Sequence, residues 1–248
     1  MTRSEELLCA IISGGCIDAS WCDLISAEEL VSTAFSHSLH LVLLQSLKKS
    51  SKWNDCPPEL REPLEKSAII ASVLDLLREQ ELRNVISESK KSGIEPILFK
   101  GVPLAHTLYS SPASRPSSDT DVLVRKNEAD RFVNILKKLG YEGSDITLNN
   151  LTSYQCLYQR KDHLGVSHLL DVHWKISNAQ LFANILTFEE LATSCIEIPA
   201  LAHARAVDNT RALLLACLHR FGHAHAPFTQ LTKRYMRAIT FVGCMIFI

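Results

Sequence analysis

The sequence predicts an α+β protein: a small mixed β-sheet backed by helices, with a helical block before it and a helical segment after it. Three observations carry this reading. Apolar residues recur at helical spacing over roughly the first 90 residues. A short apolar run, Pro96-Ile97-Leu98-Phe99, then breaks the pattern, and strand-like runs alternate with helical ones. Finally, Lys161-Asp162-His163-Leu164-Gly165 joins two strand-like runs, Tyr154 to Gln159 and Val166 to Ile176, as a hairpin would. A chain of 248 residues with 46% hydrophobic content can build a full core.

The elements follow in order. Ser4 is placed to cap a helix that ends at Gly14-Gly15, and Ser26-x-x-Glu29 is a capping box opening a second. Leu39 to Leu47 continues the apolar pattern until Pro57-Pro58 breaks it. A long amphipathic stretch runs from there to about Lys91, with Leu64, Ile69, Val73, Leu76, Leu77, Leu82 and Ile86 near helical spacing, and Gly93 stops it. After the strand at 96–99, Val102 to Tyr109 reads as a helix. Ser110 to Ser117, with two prolines, reads as a loop, and the run from Ser117 to Val124 that carries Asp119 and Asp121 as a strand. Asn127 is placed to cap an amphipathic helix carrying Phe132, Ile135, Leu136 and Leu139, ended by Gly140. Beyond Ile176 the pattern turns helical again, notably Asn209 to Phe221 behind a cap at Asp208. The organisation is a helical region at 1–92, a mixed core at 93–200 and a helical C-terminal segment at 201–248, with a boundary near Gly93.

Composition excludes several classes. With 26 basic and 27 acidic residues the formal net charge is −1, so charge does not indicate a nucleic-acid partner. Eight cysteines are scattered without a C-x-x-C pair, and the apolar stretch Leu7 to Ile12 is too short and too acidic in its flanks for a signal peptide. Both favour reduced thiols and a cytoplasmic location. The chain closes on an almost wholly apolar run, Ala238 to Ile248, shorter than the ~20 residues of a membrane span. No membrane association is expected; the run reads either as a buried strand or helix, or as a chain that ends abruptly through truncation or an altered reading frame.

The chemistry concentrates in Ser117-Ser118-Asp119-Thr120-Asp121-Val122-Leu123-Val124. On a strand, residues two apart share a face, so Asp119 and Asp121 would project side by side. Two unit charges ~4 Å apart repel by roughly 4 kcal/mol at an effective dielectric of ~20. Water, a proton or a cation must relieve that, and a hard divalent cation takes oxygen ligands. Asp171, in His168-Leu169-Leu170-Asp171-Val172-His173-Trp174, is a carboxylate in an apolar strand and needs a partner. It is the candidate third acid, as a metal ligand or as a proton acceptor. His173 would share its face, in a packing role. Lys100-Gly101 lies where a strand meets a helix, where backbone N–H groups and the helix dipole favour an anion. Arg115, in the loop before the acids, could reach a phosphate. His219, His223 and His225 form an H-x-x-x-H-x-H cluster, of which the first two have a spacing used in zinc sites.

Taken together, Phe99-Lys100-Gly101-Val102-Pro103-Leu104-Ala105, Leu108-Tyr109, Pro112-x-x-Arg115, Asp119-x-Asp121-Val122-Leu123-Val124 and Leu139-Gly140-Tyr141 resemble a known pattern. It is that of the uncharacterised nucleotidyltransferase family of the DNA-polymerase-β-like superfamily. Leu170-Asp171-Val172-His173-Trp174 resembles that family's later acidic strand, and the match spans about residues 94–176. The resemblance implies a nucleotidyltransferase core and the transfer of a nucleoside monophosphate from NTP to an acceptor, with release of pyrophosphate. It implies Lys100 and Gly101 at the triphosphate, and Asp119, Asp121 and Asp171 as catalytic ligands of two Mg²⁺ ions. The acceptor is not specified: a small molecule, an RNA end or a protein side chain all fit. Lys-Gly stands where the superfamily usually has Gly-Ser, and Thr229 to Ile248 does not continue the helical pattern expected of relatives. Two other readings are a non-catalytic nucleotide-binding module, such as one partner of a toxin–antitoxin pair, and a glycosyltransferase using the D-x-D on a nucleotide sugar. The helical first ~90 residues argue against the latter.

Overall fold

A computed structural model describes residues 1–14, 25–50, 53–143 and 153–224. The chain divides into two compact units, one containing Met1–Ser72 and the other Val73–Ala226.

The first unit contains α1 (Arg3–Ile12), α2 (Ala27–Ser36), α3 (His40–Lys49) and the start of α4 (Pro58–Lys91). Its core is aliphatic, with Leu8, Leu30, Leu43, Leu47, Leu60 and Leu64 together. The cap of α1 is Thr2 rather than Ser4. Thr2 accepts from the Glu5 N–H while Glu5 reaches back to the Thr2 N–H, and Ser4 is buried inside the helix. Ser26 caps α2 through the Glu29 N–H, as its spacing predicts. The 34-residue α4 is continuous, but its apolar residues do not form one buried stripe. Leu64, Leu82 and Ile86 are buried, whereas Ile69, Val73 and Leu76 are exposed.

The second unit is built on a seven-stranded mixed sheet. Its strands are β1 (Ile97–Phe99), β2 (Thr120–Leu123), β3 (Glu142–Gly143), β4 (Gln155–Lys161), β5 (Ser167–His173), β6 (Ile196–Ile198) and β7 (Ala204–Ala206). The order is β3-β4-β5-β2-β1-β7-β6, with β2 parallel to β5, β1 parallel to β7, and the remaining pairs antiparallel. The helices are the end of α4, α5 (Gly101–Leu108), α6 (Ala129–Lys138), α7 (Phe188–Ala192) and α8 (Asn209–Ala224).

Strand alternation sorts the side chains into two layers. Leu98, Val122, Leu170 and Val172 face Val85 and Ile86 of α4 and Phe132 and Leu136 of α6. Ile97, Phe99 and Leu123 face Phe188 and Leu191 of α7 and Ala212 and Leu215 of α8. Asp121 and His173 belong to this second face, since Phe99 pairs with Asp121 and Leu123 with His173.

Three local expectations change. Asn127 does not cap α6: a 3-10 turn, Lys126–Glu128, intervenes and Glu128 takes the cap position. Two short strands, β6 and β7, form where the pattern reads helical, and three residues are too few to show a period. Asp119 lies just before β2 and not within it. Asp208 does cap α8, accepting from the Arg211 N–H. The apolar run Ala238 to Ile248 lies outside the described residues. Among the described residues no helix is long and apolar enough to cross a membrane.

A polar cluster ties α4 to β4. The Arg160 guanidinium meets the buried Glu81 carboxylate at 2.6 Å. Burial, then the neighbouring Glu81, push the Tyr141 phenol far above its usual range. Removing one member leaves the other charge poorly solvated. Glu81→Ala should therefore destabilise the protein by about 3 kcal/mol in urea denaturation, whereas Lys91→Ala, at an exposed pair, should cost less than about 0.5 kcal/mol.

Candidate active site

The acidic centre is assembled by strand register. In the parallel ladder of β2 and β5, Asp121 lies directly beside Asp171, with Val122 beside Val172 and Leu123 beside His173. Residues paired this way project from the same face, so Asp121, Asp171 and His173 converge. One ligand atom from each lies within 4.8 Å of the others. All three are buried, at 7%, 8% and 1% exposure.

His173 Nε2 lies 2.9 Å from Asp121 Oδ1 and 3.2 Å from Asp171 Oδ2. Carboxylates only accept, so Nε2 carries a proton that bridges the two acids. The Lys100 ammonium sits 2.5 Å from the same Asp121 Oδ1. Gln155, across the hairpin on β4, donates to Asp171 Oδ2 at 2.8 Å. Asp171 Oδ1 is buried and has no hydrogen-bond partner among the described residues.

These contacts set the protonation states. Burial pushes Asp121 up, but the His173 bond and the Lys100 charge outweigh it and hold the carboxyl below its ordinary value. Burial pulls His173 down, but the bonds to Asp121 and Asp171 outweigh it and hold the imidazole above its ordinary value.

The turn between β1 and α5 supplies Lys100. Its backbone has φ 59° and ψ −118°, a left-handed conformation that glycine adopts freely and other residues rarely do. Such a residue costs on the order of 1–3 kcal/mol, and surrounding contacts must offset it. Gly101 follows. A Cβ there would meet Ser117 Oγ at 3.0 Å and Arg115 Nη1 at 3.2 Å. Arg115 donates to the Gly101 carbonyl at 3.1 Å. The structure thus brings Lys100, Gly101 and Arg115 to one turn beside Asp121. Asp119 is held differently: its carboxylate lies 3.4 Å from the hydroxyls of Ser117 and Ser118, outside the trio of converging ligand atoms.

The residues fit a divalent cation. Two carboxylates supply hard oxygen ligands, and Asp171 Oδ1 is an orphaned buried acceptor directed by no other bond. Carboxylate ligands suit magnesium, calcium and manganese alike.

Residues 23–235 match a family model described as an uncharacterised nucleotidyltransferase. The chain belongs to that family. The motifs from Phe99 to Asp171 identify the same family. No curated protein matches this nucleotidyltransferase-family chain. A similar solved structure is that of an antigenic nucleotidyltransferase-like protein from Paracoccidioides brasiliensis. It is 10% identical, with a TM-score of 0.38 over 65% of this chain and 74% of that one.

Other candidate features of this nucleotidyltransferase-family chain lie elsewhere. A cavity of about 470 Å³, lined by Arg125, Lys126, Trp174, Lys175 and Phe188, opens beyond the ends of β2 and β5 and does not include the acids. Of the His219, His223 and His225 cluster, His219 is exposed on α8, while the His223 side chain and His225 lie outside the described residues. His173 is the residue whose bridging position the sequence reading did not anticipate. Its spacing of two from Asp171 is the signal that could have found it.

The pH dependence of the metal-free protein follows from the two shifts. Asp121, held low, contributes stability that is full above the ordinary carboxylate range and is lost as pH falls through its depressed value. His173, held high, contributes stability that is full below the ordinary imidazole value and is lost as pH rises through its raised value. Melting temperature followed from about pH 6 to about pH 9 should fall in the wild type and fall less steeply in His173→Gln. Parallel profiles would show that His173 holds no extra proton in the folded state.

Proposed function

We propose that the protein is a Mg²⁺-dependent nucleotidyltransferase that moves a nucleoside monophosphate from NTP to an acceptor hydroxyl and releases pyrophosphate. The observation that carries this reading is the in-register pairing of Asp121 with Asp171 inside a chain of the nucleotidyltransferase family. A new bond forms between the acceptor oxygen and the α-phosphorus, and the bond from that phosphorus to the β-phosphate bridging oxygen breaks. Asp121 and Asp171, with Asp119 at the entrance to β2, hold two Mg²⁺ ions. When bound, the ions supply positive charge for the triphosphate and for the attacking and leaving oxygens. Lys100, the Gly101 backbone and Arg115 bind and orient the phosphates at the β1–α5 turn. Asp171, with an unpartnered oxygen, receives the acceptor proton. Most of the rate enhancement comes from holding the reactants in place and from charges fixed in advance.

One observation favours a second reading, a nucleotide binder without turnover. Asp119 engages Ser117 and Ser118 and does not join the other acids.

Incubation with α-labelled NTPs, Mg²⁺ and cell extract separates the two. The wild type should transfer label to an acceptor, and Asp121→Asn should lower the rate by about 10²-fold or more. Removal of divalent cations by a chelator should abolish it. Label transfer that survives Asp119→Ala/Asp121→Ala would overturn the metal assignment. Nucleotide binding without transfer would establish the second reading.

A further inference from the structure

We propose that Lys100 is the resident counter-cation of the acidic centre, and that its ammonium and an incoming divalent cation compete for the same oxygen of Asp121. This rests on the reading of Asp121 and Asp171 as metal ligands.

Asp121 Oδ1 already accepts two donors, the Lys100 ammonium at 2.5 Å and His173 Nε2 at 2.9 Å. An oxygen so occupied has no lone pair left to offer a metal ion. One donor must leave before a cation can bind there.

His173 is poorly placed to leave. Its side chain is 2% exposed and packs edge-on against Phe99, with ring centroids 4.9 Å apart. It also bridges to Asp171 at 3.2 Å. The Lys100 side chain is 27% exposed and carries its charge on a flexible four-carbon stem. Lys100 is therefore the donor that yields.

The backbone supports the same assignment. Lys100 occupies φ 59° and ψ −118°, where glycine would sit without strain, and the next residue is itself a glycine. Surrounding contacts offset the cost of that conformation, and the Lys100 side chain supplies some of them. Its described contacts are the bond to Asp121 and an approach over the Phe99 ring at 5.0 Å.

Charge balance gives the reason. Two buried carboxylates in register repel one another unless cations are close. Lys100 supplies that charge when no metal is present. Asp171 Oδ1 needs no such clearing, since it has no partner among the described residues. Only the Asp121 side of the centre must exchange one cation for another.

The test uses the full-length protein and Mn²⁺ as the probe, with no nucleotide present. Free Mn²⁺ is measured by electron paramagnetic resonance during titration of the wild type, Lys100→Met, Lys100→Gly and Lys100→Arg. The expected result is a Mn²⁺ dissociation constant about 10-fold lower in Lys100→Met and Lys100→Gly, with Lys100→Arg close to wild type. Without metal, Lys100→Met should melt below the wild type, and saturating Mn²⁺ should close the gap. Lys100→Gly relieves the backbone and keeps the test valid if the methionine variant folds poorly. Equal Mn²⁺ affinity in the wild type and in both uncharged variants overturns the competition while leaving the metal centre intact. If none of the four proteins binds Mn²⁺, or if Asp121→Asn binds it as the wild type does, the metal centre falls and the competition falls with it.

Discussion

The register of β2 against β5 is the constraint on which the site depends. Asp121 and Asp171 are 50 positions apart and meet only because Val122 pairs with Val172. A slip of one residue would set Asp121 beside a valine and turn Asp171 into the opposite layer. That layer prevents the slip. Val122, Leu170 and Val172 are buried against Phe132 and Leu136 of α6 and against α4, so moving them would bury charge and expose apolar surface. The hairpin pins β5 from its other end. The Asp162 carboxylate accepts from the Leu164 and Val166 N–H groups, which fixes the loop and hence where β5 begins. Cys156 and Tyr158 of β4 then pack into the same core.

The same register creates an electrostatic demand that neighbouring elements meet. Two buried carboxylates side by side are unfavourable without compensating charge. The β1–α5 turn brings Lys100 to Asp121, β5 itself brings His173 two residues further on, and β4 brings Gln155 to Asp171. The β1–α5 turn, β2 and the β4–β5 hairpin thus bring charge and hydrogen bonding to one place.

How much of this is legible in the sequence depends on the range of the interaction. The acids are legible because a carboxylate in an apolar strand run is costly and therefore conspicuous, as at Asp121 and Asp171. The long helix and the hairpin are legible because their periods extend over many residues. The bridging role of His173 is legible only in part: its spacing of two from Asp171 is visible in the sequence, but its other partner, Asp121, arrives from β2. The backbone of Lys100 is not legible, because a lysine after a strand gives no sign of a left-handed conformation. Strands β6 and β7 escape because three residues carry no period, and β7 exists by virtue of its parallel pairing with β1. The caps at Thr2 and Glu128 differ from expectation by one or two residues, the scale on which several polar residues compete to satisfy the same N–H groups.

Ser117 links the β1–α5 turn to the acids. Its Oγ lies 3.0 Å from where a Gly101 side chain would begin, and the same Oγ donates to the Asp119 carbonyl at 2.8 Å. Arg115, two residues earlier, holds the Gly101 carbonyl at 3.1 Å. The loop from Arg115 to Asp119 is thus clamped to the start of α5 at one end and enters β2 at the other. A glycine at 101 therefore serves two purposes. It keeps the first turn of α5 clear of a side chain, and it lets the loop that carries Asp119 close against that helix. A larger residue would push on Ser117 and Arg115 together, disturbing the cationic and the acidic halves of the site through a single contact.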